Sequence, residues 1–129
     1  MSGKNETAHD TVPLPLILIY CAASLLHFVH NAAYLRDYPN MPASLSSARI
    51  SAAWCGITAV GVVGYWLRRV GYRVWGLVVI ALYATLGFGG LAHYALAPAS
   101  AHSLAMNLTI GLEALAAAAL LIAVCVRRP

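Results

Sequence analysis

Residues 101–126 read AHSLAMNLTIGLEALAAAALLIAVCV. From Leu108 onward this run holds one acidic side chain, Glu113, among residues that are otherwise almost all apolar or small. A helix rises 1.5 Å per residue, so about 20 apolar residues cross the hydrocarbon of a bilayer, and this run is long enough. Three similar runs precede it, at about 13–35, 48–67 and 73–96. The 129-residue chain is 61% hydrophobic and only 9% charged. A soluble domain carries about 25% charged residues. The expected fold is therefore an all-α integral membrane protein. Residues 13–129 form a four-transmembrane-helix bundle, and residues 1–12 form a polar N-terminal tail.

The breaks between runs carry turn chemistry. Pro13 and Pro15 suit a first helical turn. The segment Arg36-Asp37-Tyr38-Pro39-Asn40-Met41-Pro42 and the serines up to Ser47 predict an ordered connection. Gly71-Tyr72 separates the second and third runs, and Pro98 marks a tight turn before the fourth. Gly56, Gly61 and Gly64, then Gly87, Gly89 and Gly90, predict helices that approach closely. Cys21, Cys55 and Cys125 form no C-x-x-C pair and read as small buried hydrophobes. Glu6 and Asp10 beside Lys4 make a poor signal-peptide start, so the first run is expected to remain as an anchor.

The net charge of +4 does not point to nucleic acid, because the arginines flank apolar runs. Lys4, Arg68, Arg69, Arg73, Arg127 and Arg128 fall on one side of the expected bundle. Arg36 and Arg49 fall on the other, with Asp37 between them. The positive-inside rule puts both termini in the cytoplasm, and a bacterial inner membrane is the expected location. Trp66 and Trp75 mark the inner interface, and Tyr34, Tyr38 and Tyr94 are read as anchors at the outer one.

Four of the five histidines gather at that outer end: His27 and His30 in the first run, His93 in the third, His102 opening the fourth. On a helix, His27, His30, Asn31 and Tyr34 share a face. His102, Met106, Thr109 and Glu113 form a second arc. Glu113 lies roughly 15 Å past the expected helix start, near mid-bilayer, with no lysine or arginine at its depth. Imidazole and carboxylate in lipid call for a partner, a ligand or water.

The leading expectation is a metal site with His27, His30, His93 and His102 as ligands, and Glu113 or Asn31 as an extra ligand or support. Zinc, copper and iron all suit imidazole. In a catalytic version His27 and Glu113 move protons beside the metal, acting on a lipid-soluble substrate. One glutamate within the spans is too few for a di-iron carboxylate bundle. A b-type haem is an alternative, held non-covalently because no C-x-x-C-H is present, with Gly89 and Gly90 leaving room beside His93. A proton-coupled transporter built on Glu113 is another. The remaining alternative is an accessory subunit of a larger membrane complex, or a homo-oligomer, meeting partners through glycine-rich faces. In every reading the lipid bilayer is the immediate partner.

In length and span number the chain resembles small multidrug transporters, but those carry their membrane glutamate in the first helix, where this chain has none. Fluoride channels have a different glycine, asparagine and arginine pattern, and four-helix sterol isomerases have several buried acids. No function is carried over from any of them.

Overall fold

A computed structural model describes residues 14–126. The expected tail at 1–12, Pro13 and residues 127–129 lie outside the described residues. The elements are α1 (Leu14–Ala33), α2 (Ser47–Arg69), α3 (Arg73–Leu86), a 3₁₀ segment (Gly87–Ala92), α4 (His93–Leu96), a short 3₁₀ turn (Ala99–Ala101) and α5 (Leu104–Cys125). Four helical stretches are long and apolar enough to cross a membrane: Leu14–Ala33, Ser47–Arg69, Arg73–Leu96 and Leu104–Cys125.

Helix starts follow local hydrogen-bond chemistry. Ser46 caps α2 by accepting from the Arg49 amide at 3.3 Å. Ser103 caps α5 by accepting from the Met106 amide at 3.2 Å, while its own amide donates to Met106 Sδ at 3.4 Å. This is a capping box with a thioether in the place usually held by Glu or Gln. Gly71, at φ +100°, makes the tight α2–α3 turn that a side chain would strain.

The third span keeps its expected ends but is interrupted, and the start of the fourth helix is corrected. The third span is not one α-helix. At Gly87–Ala92, where three glycines lower helix propensity, the backbone tightens to 3₁₀ geometry before α4 resumes. The fourth helix begins at Leu104, not near 101. Pro98 opens a 3₁₀ turn, and His102 is extended (φ −96°, ψ 145°). His102 therefore belongs to the turn and not to the helical arc of Met106, Thr109 and Glu113.

The surface inverts the soluble pattern. Leu18, Val62, Trp75 and Leu115 are all more than half exposed, as suits contact with acyl chains. Cys55 and Cys125 are exposed and Cys21 only half-buried, so the expected burial of the cysteines fails. These positions fall on the outer helix faces, where a small apolar thiol meets lipid without penalty.

The core fills the half of the bundle away from the histidines, with Ile17, Tyr20, Ile80, Tyr83, Ala84, Ala117, Leu120 and Val124. Glycines set how near the helices come. A Cβ on Gly64 would sit 2.8 Å from the Ile80 side chain and 3.0 Å from its backbone nitrogen. One on Gly76 would sit 2.8 Å from the Arg68 nitrogen and 2.9 Å from the Gly64 carbonyl oxygen. Gly87 admits Tyr20 and Ala117 in the same way. Gly64→Val is therefore expected to destabilise the bundle by about 1–3 kcal/mol, the usual range for overpacking. Gly56→Ala, whose added Cβ meets nothing within 4 Å, leaves the α2–α3 contact intact. Unfolding of the detergent-solubilised protein in an SDS titration measures both.

Candidate functional site

The site arises where two helix faces meet. The buried face of α1 is Ile17, Tyr20, Ser24, His27 and Asn31. That of α5 is Met106, Thr109, Ile110, Glu113, Ala117, Leu120 and Val124. Both faces are largely apolar at one end and polar at the other. Packing α1 on α5 therefore sets His27 against Glu113. Their nearest atoms, Nε2 and Oε2, are 3.8 Å apart, and the residues are 2% and 1% exposed. That separation is longer than a direct hydrogen bond and short enough for a strong charge interaction. Thr109 Oγ1 lies 3.5 Å from the other ring nitrogen of His27 and donates to the Met106 carbonyl at 3.0 Å.

The 3₁₀ segment closes over this pair. A Cβ on Gly90 would lie 3.0 Å from Glu113 Oε2 and 3.4 Å from His27 Nε2. The room that the sequence suggests beside His93 is thus occupied, on the Gly90 side, by the carboxyl–imidazole pair. Gly89 faces open space instead.

From His27 the imidazoles run in file toward the bundle end. His93, which opens α4, has its ring centroid 5.5 Å from that of His27 and 6.1 Å from that of His102. Asn31 Nδ2 lies 3.3 Å from His93 Nε2. His102 Nδ1–H donates to the Pro98 carbonyl at 3.0 Å, which leaves Nε2 as the free ring nitrogen. Asn107 locks this turn through the Ala99 and His102 carbonyls, and Tyr94 OH donates to its Oδ1 at 2.9 Å.

His30 stands apart from the file. It is half-buried, lies on a different side of α1 from His27 and Asn31, and stacks on exposed Tyr34 with centroids 4.7 Å apart. Its Nδ1 meets Tyr38 OH at 2.9 Å. The single polar stripe expected over His27, His30, Asn31 and Tyr34 is thus divided between a buried and an outward face.

Tyr38 is the residue that sequence reasoning missed. The sequence reading makes it an anchor at the outer interface, yet it is 3% exposed and packs inside the histidine cluster. Its ring centroid lies 4.8 Å from His93, 5.9 Å from His30 and 6.4 Å from His102. The following turn explains this. Asn40 adopts φ 56° and donates to the Leu96 carbonyl at 2.9 Å, folding the α1–α2 connection back over the bundle end. The Tyr-Pro-Asn signal was present, but only its turn was read. Burial pushes the Tyr38 phenol pKa above its ordinary value, so it serves as a neutral hydroxyl.

Among the described residues, no group of three or more His, Cys, Asp or Glu side chains is arranged to hold one metal ion. Asn31 Oδ1, His93 Nδ1, His102 Nε2 and Glu113 Oε2 are buried without a hydrogen-bond partner. Native proteins leave few such groups, and each calls for an ordered water, a ligand or a rearranged partner. Comparison with known protein families, characterised proteins and solved structures finds no match.

Tyr38→Phe keeps the ring and loses the His30 hydrogen bond, an expected cost of about 1 kcal/mol. Tyr38→Ala uncovers three imidazoles and is expected to cost about 3 kcal/mol or more. The same SDS titration separates the two.

Proposed function

We propose that the chain is a proton-handling membrane protein. Glu113 and His27 form its internal acid–base pair, and His93 and His102 link that pair to the bundle end covered by Tyr38. The observation that carries the reading is the 3.8 Å contact between an imidazole and a carboxyl, both almost fully buried inside a membrane-length bundle. Glu113 stands roughly 14 Å along the axis from Leu104, close to mid-span. An unpaired carboxylate at that depth costs several kcal/mol. A carboxyl–imidazole pair avoids most of that cost, because one proton shared between them leaves no net charge wherever it resides. Each further imidazole can accept a proton on one nitrogen and release one from the other. Arg68, Arg69 and Arg73 lie at the far end and Arg36 and Arg49 at the histidine end, a bias that supports an extracytoplasmic histidine end.

Reconstituted protein tests this directly. In proteoliposomes with an internal pH dye, wild type is expected to speed the collapse of an imposed pH gradient. Glu113→Gln and His27→Ala are expected to lower that rate at least tenfold, with His30→Ala close to wild type. Equal rates for wild type, Glu113→Gln and empty vesicles would refute the reading.

A metal site is the second reading, and one observation favours it. The His102 bond to the Pro98 carbonyl leaves Nε2 as a buried lone pair, the arrangement common to metal-bound histidines. His27, His93, His102 and Glu113 are its ligand candidates and would have to turn to meet one ion, since no three of them are arranged around one in the structure; His30 is engaged by Tyr38. Zinc, copper or iron near one per chain, lost in His93→Ala, would support this reading over the first.

A further inference from the structure

The helices α2 and α3 are clamped at Gly61, Gly64 and Gly76, where an added Cβ would lie within 3 Å of the facing helix. Toward the histidine end the tight contacts cease. A Cβ on Gly56 or Gly89 would meet nothing within 4 Å. A cavity of about 300 Å³ lies on this side, at the lower end of the range for small-molecule pockets. Met41 and Leu45 line it from the α1–α2 connection, Ile50 from α2 and Gly89 from the 3₁₀ segment. Arg49, also in the lining, is exposed and donates one N–H to the Ser44 carbonyl at 2.6 Å.

Besides Arg49, the polar part of the lining is Asn31 and His93, each 7% exposed. Their mutual contact uses Asn31 Nδ2 and His93 Nε2, and leaves Asn31 Oδ1 and His93 Nδ1 without partners. If the amide N–H donates to Nε2, the ring proton sits on Nδ1. One donor, Nδ1–H, and one acceptor, Oδ1, then remain. If the amide is turned end for end, Nε2–H donates to its oxygen. An amide N–H and the Nδ1 lone pair then remain, again one donor and one acceptor. Either arrangement complements an oxygen that carries a proton.

We propose that this cavity takes the head of a single-chain, lipid-soluble amphiphile ending in an O–H group, a hydroxyl or a protonated carboxyl. Its chain leaves between α2 and the 3₁₀ segment into the bilayer. In one respect this rests on the proton-handling reading: the bound O–H stands one imidazole away from the His27–Glu113 pair, and its proton is the one exchanged. Binding itself needs the open wall at Gly89 and a turn of Asn31 or His93 that brings their buried, unpartnered atoms to the cavity.

Native mass spectrometry of the detergent-released full chain tests it, with hexadecanol, hexadecanoic acid and methyl hexadecanoate as probes. A 1:1 adduct is expected with the alcohol and, at acidic pH, with the acid. The ester accepts a hydrogen bond but donates none, and is expected to bind at least tenfold less. Gly89→Leu, which fills the cavity, should abolish the adducts, and Met41→Trp, filling it from the connection, is the second such variant. Asn31→Ala should remove the preference for alcohol over ester. Equal binding of alcohol and ester to wild type overturns the proposal, as do adducts untouched by both filling variants. So does an acid adduct lost in Arg49→Gln with no alcohol adduct in wild type, which would put a carboxylate at Arg49 instead. Glu113→Gln is expected to keep the adducts. Selective alcohol binding in a wild type that moves no protons would support the cavity and sink only the proton-handling reading.

Discussion

A carboxyl group buried at mid-membrane is the constraint from which the rest of the polar architecture follows. Among the described residues no lysine or arginine lies at the depth of Glu113, so its stability depends on what the neighbouring helices bring to it. Helix α1 brings His27, and the 3₁₀ segment brings a glycine where any Cβ would crowd the pair. Had that segment remained an ordinary α-helix of larger residues, its side chains would have competed for the same volume. The break in the third span is thus part of how the pair is enclosed.

The glycines divide the bundle into two regimes. At one end they let α2 and α3 touch along their backbones, which supplies the dense packing on which a membrane bundle relies where no hydrophobic driving force exists between helices. At the other end Gly89 faces open space, and the polar residues lie there. A tight half thus supports a looser half in which side chains have room to turn. Buried, partly unsatisfied groups are tolerated where surrounding structure holds them, and the lower core of Tyr20, Ile80, Tyr83 and Leu120 provides that support.

Much of this was legible from residue order. The four spans follow from run length and hydropathy, and the up-and-down path of four helices puts His27, His93 and His102 toward one end; that their rings lie side by side was not legible, because the sequence does not give the order of helices around the bundle. What was not legible depended on rotation and on loops. Periodicity grouped His27 with His30, but it does not say where along that arc the neighbouring helix packs. Asn31 proved to be on the buried side and His30 off it. Tyr38 was missed because aromatic residues near a span end usually sit at the lipid interface, whereas here Asn40 folds the connection inward. His102 was assigned to a helix because the run is apolar throughout, although Pro98 and the Ser103 cap shift the start to Leu104.

The central claim is that Glu113 and His27 act as one coupled unit, and magnetic resonance of isotopically labelled protein in lipid tests it most directly. The ring nitrogens of His27 and the carboxyl carbon of Glu113 should respond over the same pH steps, as strongly interacting groups do. Glu113→Gln should then displace the His27 titration. A His27 titration that is the same in wild type and Glu113→Gln would contradict the account.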